Sequence, residues 1–468
     1  MKKIHIKISV VFALALFFTS CDKWIDTDMN VSPDLPTNVP MQYLIPSIQV
    51  SMTYDMLGND AVRPSNIWMQ YFDGTDRQSL AQATYLMTPS DPNNMWNNVY
   101  SGEMMDAKRL IQLAVEQESP AYGGVGKVCL AWCLGETTNL FGAIPYSEAF
   151  KGSGDLSPVF DKQSIVYDSI RKMLNEAISD LGKTNAVALS GDLVYKNSTA
   201  KWIKAAHSLL ARLELNTSLV NGAAAYTQAL THISDGFASN ADDFQLPYGT
   251  TENNANPIYQ FMRDRGDIVM ASTFMNMLNS TSDPRAPFYA SPGSAGNLHG
   301  SEPGSQDATA ALPGVYNAAP QSATVMMSFS ELKFIEAEAK FQTSDLPGAL
   351  AAYKVAAAAS VLKVTGAVNQ AWLDANINIE TTATLTLAKI ITQKYLALYS
   401  QNQPYTDYRR TGLPDILVTP VGETTNVPPK RFPYPQDEMT YNSDNIPADG
   451  GLNGTMWLIG GADVGAKK

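Results

Sequence analysis

Cysteine and histidine are scarce: three and four among 468 residues. That excludes a disulfide framework and leaves little material for a zinc site. His5 falls in the leader, and His207, His232 and His299 lack the short spacings of metal ligands, so neither a metal nor a cofactor is expected. No Gly-x-Ser-x-Gly elbow occurs. The segment YGGVGKV (122–128) imitates a phosphate loop and fails twice. Ala121 stands where the first glycine belongs, and Val128 where Ser or Thr is required. Positive charge is also short, with 33 Lys plus Arg against 45 Asp plus Glu and a net charge of −12. Such a surface repels phosphate backbones and excludes nucleic acid as a partner. Glycosidases need only two carboxylates, but no acid here is marked by a motif, and the chain is read as a non-enzyme. Hydrophobic residues at 45% and charged residues at 17% are ordinary for a globular chain, which excludes wholesale disorder.

Long apolar runs are missing as well. Ile8 to Phe18, broken only by Ser9, spans about 16 Å as a helix, roughly half a hydrocarbon core. With Lys2, Lys3 and Lys7 before it, residues 1–20 read as an export signal rather than a membrane anchor. The run ends Phe18-Thr19-Ser20-Cys21, which resembles a bacterial lipobox with Phe where Leu is commoner. Acylation of Cys21 is therefore expected; an ordinary cleaved signal with an incidental cysteine is the alternative. Acyl chains (palmitate among them), at about 0.8 kcal/mol per buried methylene, would hold the chain on a membrane. Asp22, Lys23, Asp26 and Asp28 follow, resembling the surface-export signal of Bacteroidetes lipoproteins. Pro33, Pro36, Pro40 and Pro46 make residues 21–46 an extended tether, leaving 47–468 as the body.

The body reads as all-α. Val166, Tyr167, Ile170, Leu174, Ala177, Ile178 and Leu181 recur at helical spacing. TAKWIKAAHSLLARLELNTSLV (199–220) does the same, stops at Asn221-Gly222 and restarts as AAAYTQALTHIS. SFSELKFIEAEAKFQ breaks at Ser344-Asp345 and continues as LPGALAAYKVAAAAS, with Ala349, Ala352, Tyr353 and Ala356 on one face. These pairs look like tetratricopeptide hairpins, with an unrelated alanine-rich bundle as the alternative. Cys129 and Cys133, four apart, read as buried small hydrophobes on one helix. Two stretches resist a helical reading: Asp235 to Ala323, and the proline-rich chain after Thr411.

Six blocks in order resemble the SusD/RagB family, in its SusD-like branch. They are MWNNVYSGEMMDAKRLIQLA (95–114), NLFGAIPYSEAF (139–150), KWIKAAHSLLARLELNTS, ELKFIEAEAKF, KIITQKYLALYSQNQPYTDYRRTGLP (389–414) and KRFPYPQDEMTYNSDN (430–445). The resemblance implies a SusD-like helical fold with tetratricopeptide-like hairpins and long irregular loops. It also implies a lipid-anchored outer-membrane protein facing the exterior. Such a protein captures an oligosaccharide or peptide and delivers it to a SusC-like TonB-dependent barrel for nutrient uptake. Phe141, Gly142, Pro145, Tyr146, Arg409, Arg410, Gly412 and Pro414 read as structural members of these blocks.

Ligand contacts are expected from aromatic and amide side chains, since a sugar's C–H face stacks on a ring while its hydroxyls seek polar partners. At about 0.5–1.5 kcal/mol per aromatic contact, three or four contacts give a site near millimolar, about −4.1 kcal/mol. RPSNIWMQYF (63–72) supplies Asn66, Trp68, Gln70, Tyr71 and Phe72; Tyr259, Arg263, Arg265 and Tyr316 follow. The Trp68–Tyr71 spacing of three also fits a buried helix face. A tetratricopeptide scaffold that gates the barrel without a ligand, and a surface glycoside hydrolase, are the competing readings.

Overall fold

The computed structural model describes residues 39–465, apart from 59 and 449. The signal sequence, Cys21 and the tether up to residue 38 lie outside the described residues. Helices carry the architecture, and the strands are two to four residues long.

Helix α1 (Met41–Leu57) begins inside the segment expected to be tether. Met41, Leu44, Ile45, Ile48, Met52 and Met56 are buried at three- and four-residue spacing, and this stripe outweighs the proline within it. Pro46 has no N–H to offer the Gln42 carbonyl. The backbone of Gly191, at φ +85°, packs against that same oxygen, where a Cβ would lie only 2.1 Å away. Residues 41–46 of the segment expected to be tether are thus helical.

Helix α2 (Val62–Trp68) is buried along its whole length. Then come the paired helices: α3 (Glu103–Glu116), α4 (Pro120–Phe141), α5 (Gln163–Leu181), α6 (Thr199–Asn216) and α7 (Ala223–Thr231), each packed on the next. The false phosphate loop YGGVGKV lies inside α4, where its glycines serve helix packing. A Cβ on Gly124 would sit 2.6 Å from Leu181 Cγ of α5. Cys129 and Cys133 are buried on α4, as expected. The helix expected to reach Val220 ends at Asn216; a single turn, Ser218–Asn221, follows, and Gly222 at φ +56° reverses the chain into α7.

The stretch read as non-helical contains α8 (Pro257–Asp264) and α9 (Ser272–Ser280). Asn256 caps α8, accepting from the amides of Ile258 and Tyr259 at 2.8 and 3.2 Å, with proline at the first helical position. That local start signal outweighs the polar composition. A second hairpin, α10 (Phe329–Gln342) and α11 (Leu346–Thr365), buries Ala349, Ala352 and Ala356 of α11 against Phe334 and Ala337 of α10. Helices α12 (Leu387–Ala397) and α13 (Gln403–Thr411) follow, and the chain after Thr411, read as non-helical, contains one short helix, Gln436–Tyr441.

Buried ion pairs join these layers. Arg212 on α6 donates twice to Glu331 on α10, both at 2.6 Å, and reaches Glu136 on α4 at 3.5 Å. Asn402 donates to Glu136 at 3.1 Å and accepts from Ser65 on α2 at 2.8 Å. Arg410 pairs with Glu338 and Asp407, and Lys394 with Asp407. Arg409 donates to the carbonyls of Asn139 and Lys430 while lying 3.8 Å over the Tyr405 ring. Gly142 ends α4 at φ +81°, and Gly412 caps α13 in the left-handed conformation. The family-block residues thus hold helix ends and carboxylates.

Candidate functional site

The first cluster of expected ligand residues is a pillar of the interior. Asn66, Trp68, Gln70, Tyr71 and Phe72 are each 1% exposed or less. Asn66 donates to the Gln401 carbonyl and accepts from the Ser400 amide. Trp68 donates to the Gln82 carbonyl at 3.2 Å and packs its ring on Tyr405 and Phe432. Gln70 donates to the Val418 carbonyl at 2.6 Å and accepts from the Val418 amide at 3.0 Å. Tyr71 stacks on Tyr395 at 4.2 Å and donates to its carbonyl; Phe72 sets its edge against Tyr399. This corrects the sequence reading. The three-residue spacing belongs to a buried helix face, and every amide atom of Asn66 and Gln70 is taken by the protein itself.

The strand Phe72–Gly74 pairs antiparallel with Ile268–Met270, bringing the second expected group alongside the pillar. Tyr259, Arg263 and Arg265 lie at the surface on and after α8. Their charges are already matched. Arg263 pairs with Asp264 at 2.6 Å, while Arg265 and Arg77 converge on buried Asp267 at 2.5 and 3.1 Å. The Phe261 ring lies between the guanidinium groups of Arg63 and Arg265, 5.3 and 5.8 Å from its centroid. These arginines brace the α8 face.

Tyr316, on a turn (Val315–Ala318) that packs on α8, has its ring 6.4 Å from that of Tyr399, which the pillar also touches, and lines an open cleft of about 460 Å³. Its walls come from elements distant in sequence. The strand Phe244–Leu246 pairs with Thr324–Met327, and a register shift between Phe244 and Gln245 interrupts their ladder. The C-terminal end of α11 contributes Leu362, Lys363 and Val364, and the turn Asn240–Asp242 contributes Asn240. Val315, Val325, Leu362 and Val364 are apolar; half-buried Phe288 and Tyr316 add two rings. Tyr316 is held edge-on to Tyr289 at 5.2 Å.

The polar edge is fixed by a clamp. The Lys363 ammonium donates to the Asp243 carboxylate and to the side-chain amide oxygen of Gln245, both at 2.6 Å. Burial pushes the Asp243 carboxyl up, opposed by Lys363, and its other oxygen accepts from the Phe329 amide. The Asn240 side-chain nitrogen donates to the Ala359 carbonyl, and its side-chain oxygen Oδ1 is buried with no partner among the described residues. Burial likewise raises the Tyr316 hydroxyl, which keeps its proton and makes no hydrogen bond among the described residues. An apolar ring wall facing donors and acceptors suits a ligand with one C–H face and several hydroxyls. Asp243 is the one carboxylate in this lining, whereas glycoside hydrolysis uses two. Among the described residues no three His, Cys, Asp or Glu side chains gather as metal ligands.

Asn240, Asp243, Gln245, Phe288 and Lys363 were not singled out from the sequence. Lys363 sits on an alanine helix and the others in irregular chain, so no periodicity marks them. Only long-range pairing of residues 244–246 with 324–327 assembles them.

Helical hairpins supporting a loop-built face place the chain among tetratricopeptide-like scaffolds. A family model for SusD-like proteins, described as starch-binding and associating with the outer membrane, matches residues 33–435, and the chain belongs to that family. It is thus a member of a glycan-binding family associated with the outer membrane, as its six sequence blocks led one to expect. Its fold matches that of a chitin-binding protein (24% identity, TM-score 0.77, covering 89% of this chain and all of the other). A SusD/RagB family protein from Bacteroides thetaiotaomicron matches at 23% identity and TM-score 0.77, over 91% of this chain and all of its own. A chitin-binding SusD homolog from Flavobacterium johnsoniae matches at 21% and 0.74, over 89% of this chain and 99% of its own. No curated protein matches in sequence.

Proposed function

We propose that this protein is a surface lipoprotein, acylated at Cys21, that captures an oligosaccharide in the Tyr316 cleft. It passes that cargo to a SusC-like TonB-dependent barrel and makes or breaks no bond itself. One observation carries the reading. In this cleft two half-buried rings face a polar edge made by Asp243, Gln245 and Lys363, and the Tyr316 hydroxyl has no hydrogen-bond partner among the described residues. A sugar hydroxyl can pair with the Tyr316 hydroxyl, while its ring face covers Tyr316 or Phe288. Two ring contacts and two or three hydrogen bonds give about −4 kcal/mol, a millimolar site, and pairing with a barrel would raise the effective affinity.

The test is calorimetric titration of the Cys21→Ser chain with chito- and malto-oligosaccharides. Saturable binding that Tyr316→Ala weakens at least about tenfold is expected. Equal affinity in the variant, or saturation only by peptides, refutes glycan capture at this cleft. Anchoring is tested separately: Cys21→Ser should leave the membrane fraction, and its retention after a carbonate wash would show another anchor.

A further inference from the structure

We infer that a second hollow, walled by α3, α4 and α5, docks an acidic peptide segment of a partner protein, with Lys108 as its grip. The hollow has a volume of about 330 Å³ and lies on the hairpin scaffold; its lining shares no residue with the Tyr316 cleft.

Three features point to this occupant. First, the Lys108 ammonium rests over the rings of Tyr146 and Phe150, 5.1 and 4.7 Å from their centroids, and no carboxylate among the described residues pairs with it. In a chain with 45 acids, a partly desolvated ammonium lacking a counter-charge is an unfilled half of an ion pair. Burial lowers its proton affinity, which an incoming carboxylate would restore. Second, charge in the lining is lopsided. Lys127 is matched by Glu176 and Asp180 at 3.0 and 2.8 Å, but Lys172 reaches only Glu176, at 3.9 Å. Glu176 is the one carboxylate against three lysines in the lining. Third, Ile111, Leu130 and Met173 supply an apolar patch. No Asn or Gln lines this hollow, so it lacks the amides that would sort sugar hydroxyls; an aliphatic side chain beside an acidic one fits it.

The aromatic bed is built to stay in place. Phe150 holds φ +68°, unusual for a bulky residue, and stacks on Tyr100 at 5.7 Å. The Tyr100 hydroxyl donates to the Pro145 carbonyl, closing the loop under Lys108.

The test uses the full acylated chain in detergent micelles and fluorescence anisotropy. The probe is a fluorescein-labelled, end-capped peptide of sequence Gly-Asp-Leu-Glu-Phe-Gly; the control carries Asn and Gln in place of the acids. The acidic probe should bind at least about tenfold more tightly than the control, and Lys108→Met should erase that preference. The preference should also shrink between about 50 and 300 mM salt. Equal binding of both probes, or an unchanged preference in Lys108→Met, overturns the inference. So does displacement of the probe by trigalacturonate, which would reassign the hollow to an acidic sugar. Should Lys108→Met fail to fold by circular dichroism, Lys172→Met takes its place and should reduce the preference severalfold; an unchanged preference there overturns the inference equally. Chito-oligosaccharide binding should be unaltered in either variant, so failure here is distinguishable from failure of glycan capture at Tyr316.

Discussion

Two parts of this molecule that both carry amides and aromatic rings have opposite fates. The segment from Asn66 to Phe72 and the cleft around Tyr316 both mix amides with aromatic rings. In the first, Gln70 gives its amide nitrogen to the Val418 carbonyl and its oxygen to the Val418 amide, and Tyr71 gives its hydroxyl to the Tyr395 carbonyl. In the second, the Asn240 oxygen and the Tyr316 hydroxyl have no protein partner among the described residues. Residue type does not separate the two regions; the hydrogen bonds each side chain makes within the protein do.

The strongest way to break that contrast is Trp68→Ala. Removing a fully buried indole that packs on Tyr405 and Phe432 should cost about 3–5 kcal/mol in urea denaturation. The fraction still folded should bind sugar as well as the parent does. A variant of unchanged stability that has lost binding would put Trp68 back in the site.

Glu103 sharpens the rule, because both its oxygens also lack a hydrogen-bond partner although the side chain is sealed in the scaffold. Burial, reinforced by Asp55, pushes its carboxyl up to about 8, so protonation rather than a ligand resolves the conflict. A carboxyl that holds its proton more tightly when folded contributes stability at low pH. That contribution is lost as pH rises from the unfolded value near 4.5 towards 8. Glu103→Gln should flatten this slope by about 1 kcal/mol per pH unit, read from melting curves across that window. A slope identical to the parent's would mean that Glu103 is ionised and paired.

The smallest effect is expected from Tyr316→Phe, which keeps the ring and removes only the hydroxyl. A loss of about threefold in sugar affinity, well short of the Tyr316→Ala effect, would assign most of the contact to stacking. A loss equal to that of Tyr316→Ala would assign it to the hydroxyl instead.

The hairpins were legible because helical spacing is a local signal. Leu174, Ala177 and Leu181, or Ala349, Ala352 and Ala356, announce a buried face without knowledge of the neighbour. The same spacing in IWMQYF marks an interior face, and aromatic and amide content alone does not distinguish it from a ligand site. Residue type alone marks Tyr316 as a candidate, whereas the placing of Lys363 and Gln245 beside it depends on strand pairing and helix ends that no short window contains. Asn256-Pro257 was a readable helix start hidden in a stretch of Asn, Ser and Gly.

Gln70 holds the segment after α13 solely through the main chain of Val418, and Asn426 adds a similar hold on the Leu417 carbonyl. Neither grip reads a side chain, and Val418, Val421 and Val427 all point outward. That surface can therefore be rewritten residue by residue while its course is kept. A library randomised at those three valines should fold like the parent, making this loop the natural place to graft a new recognition sequence.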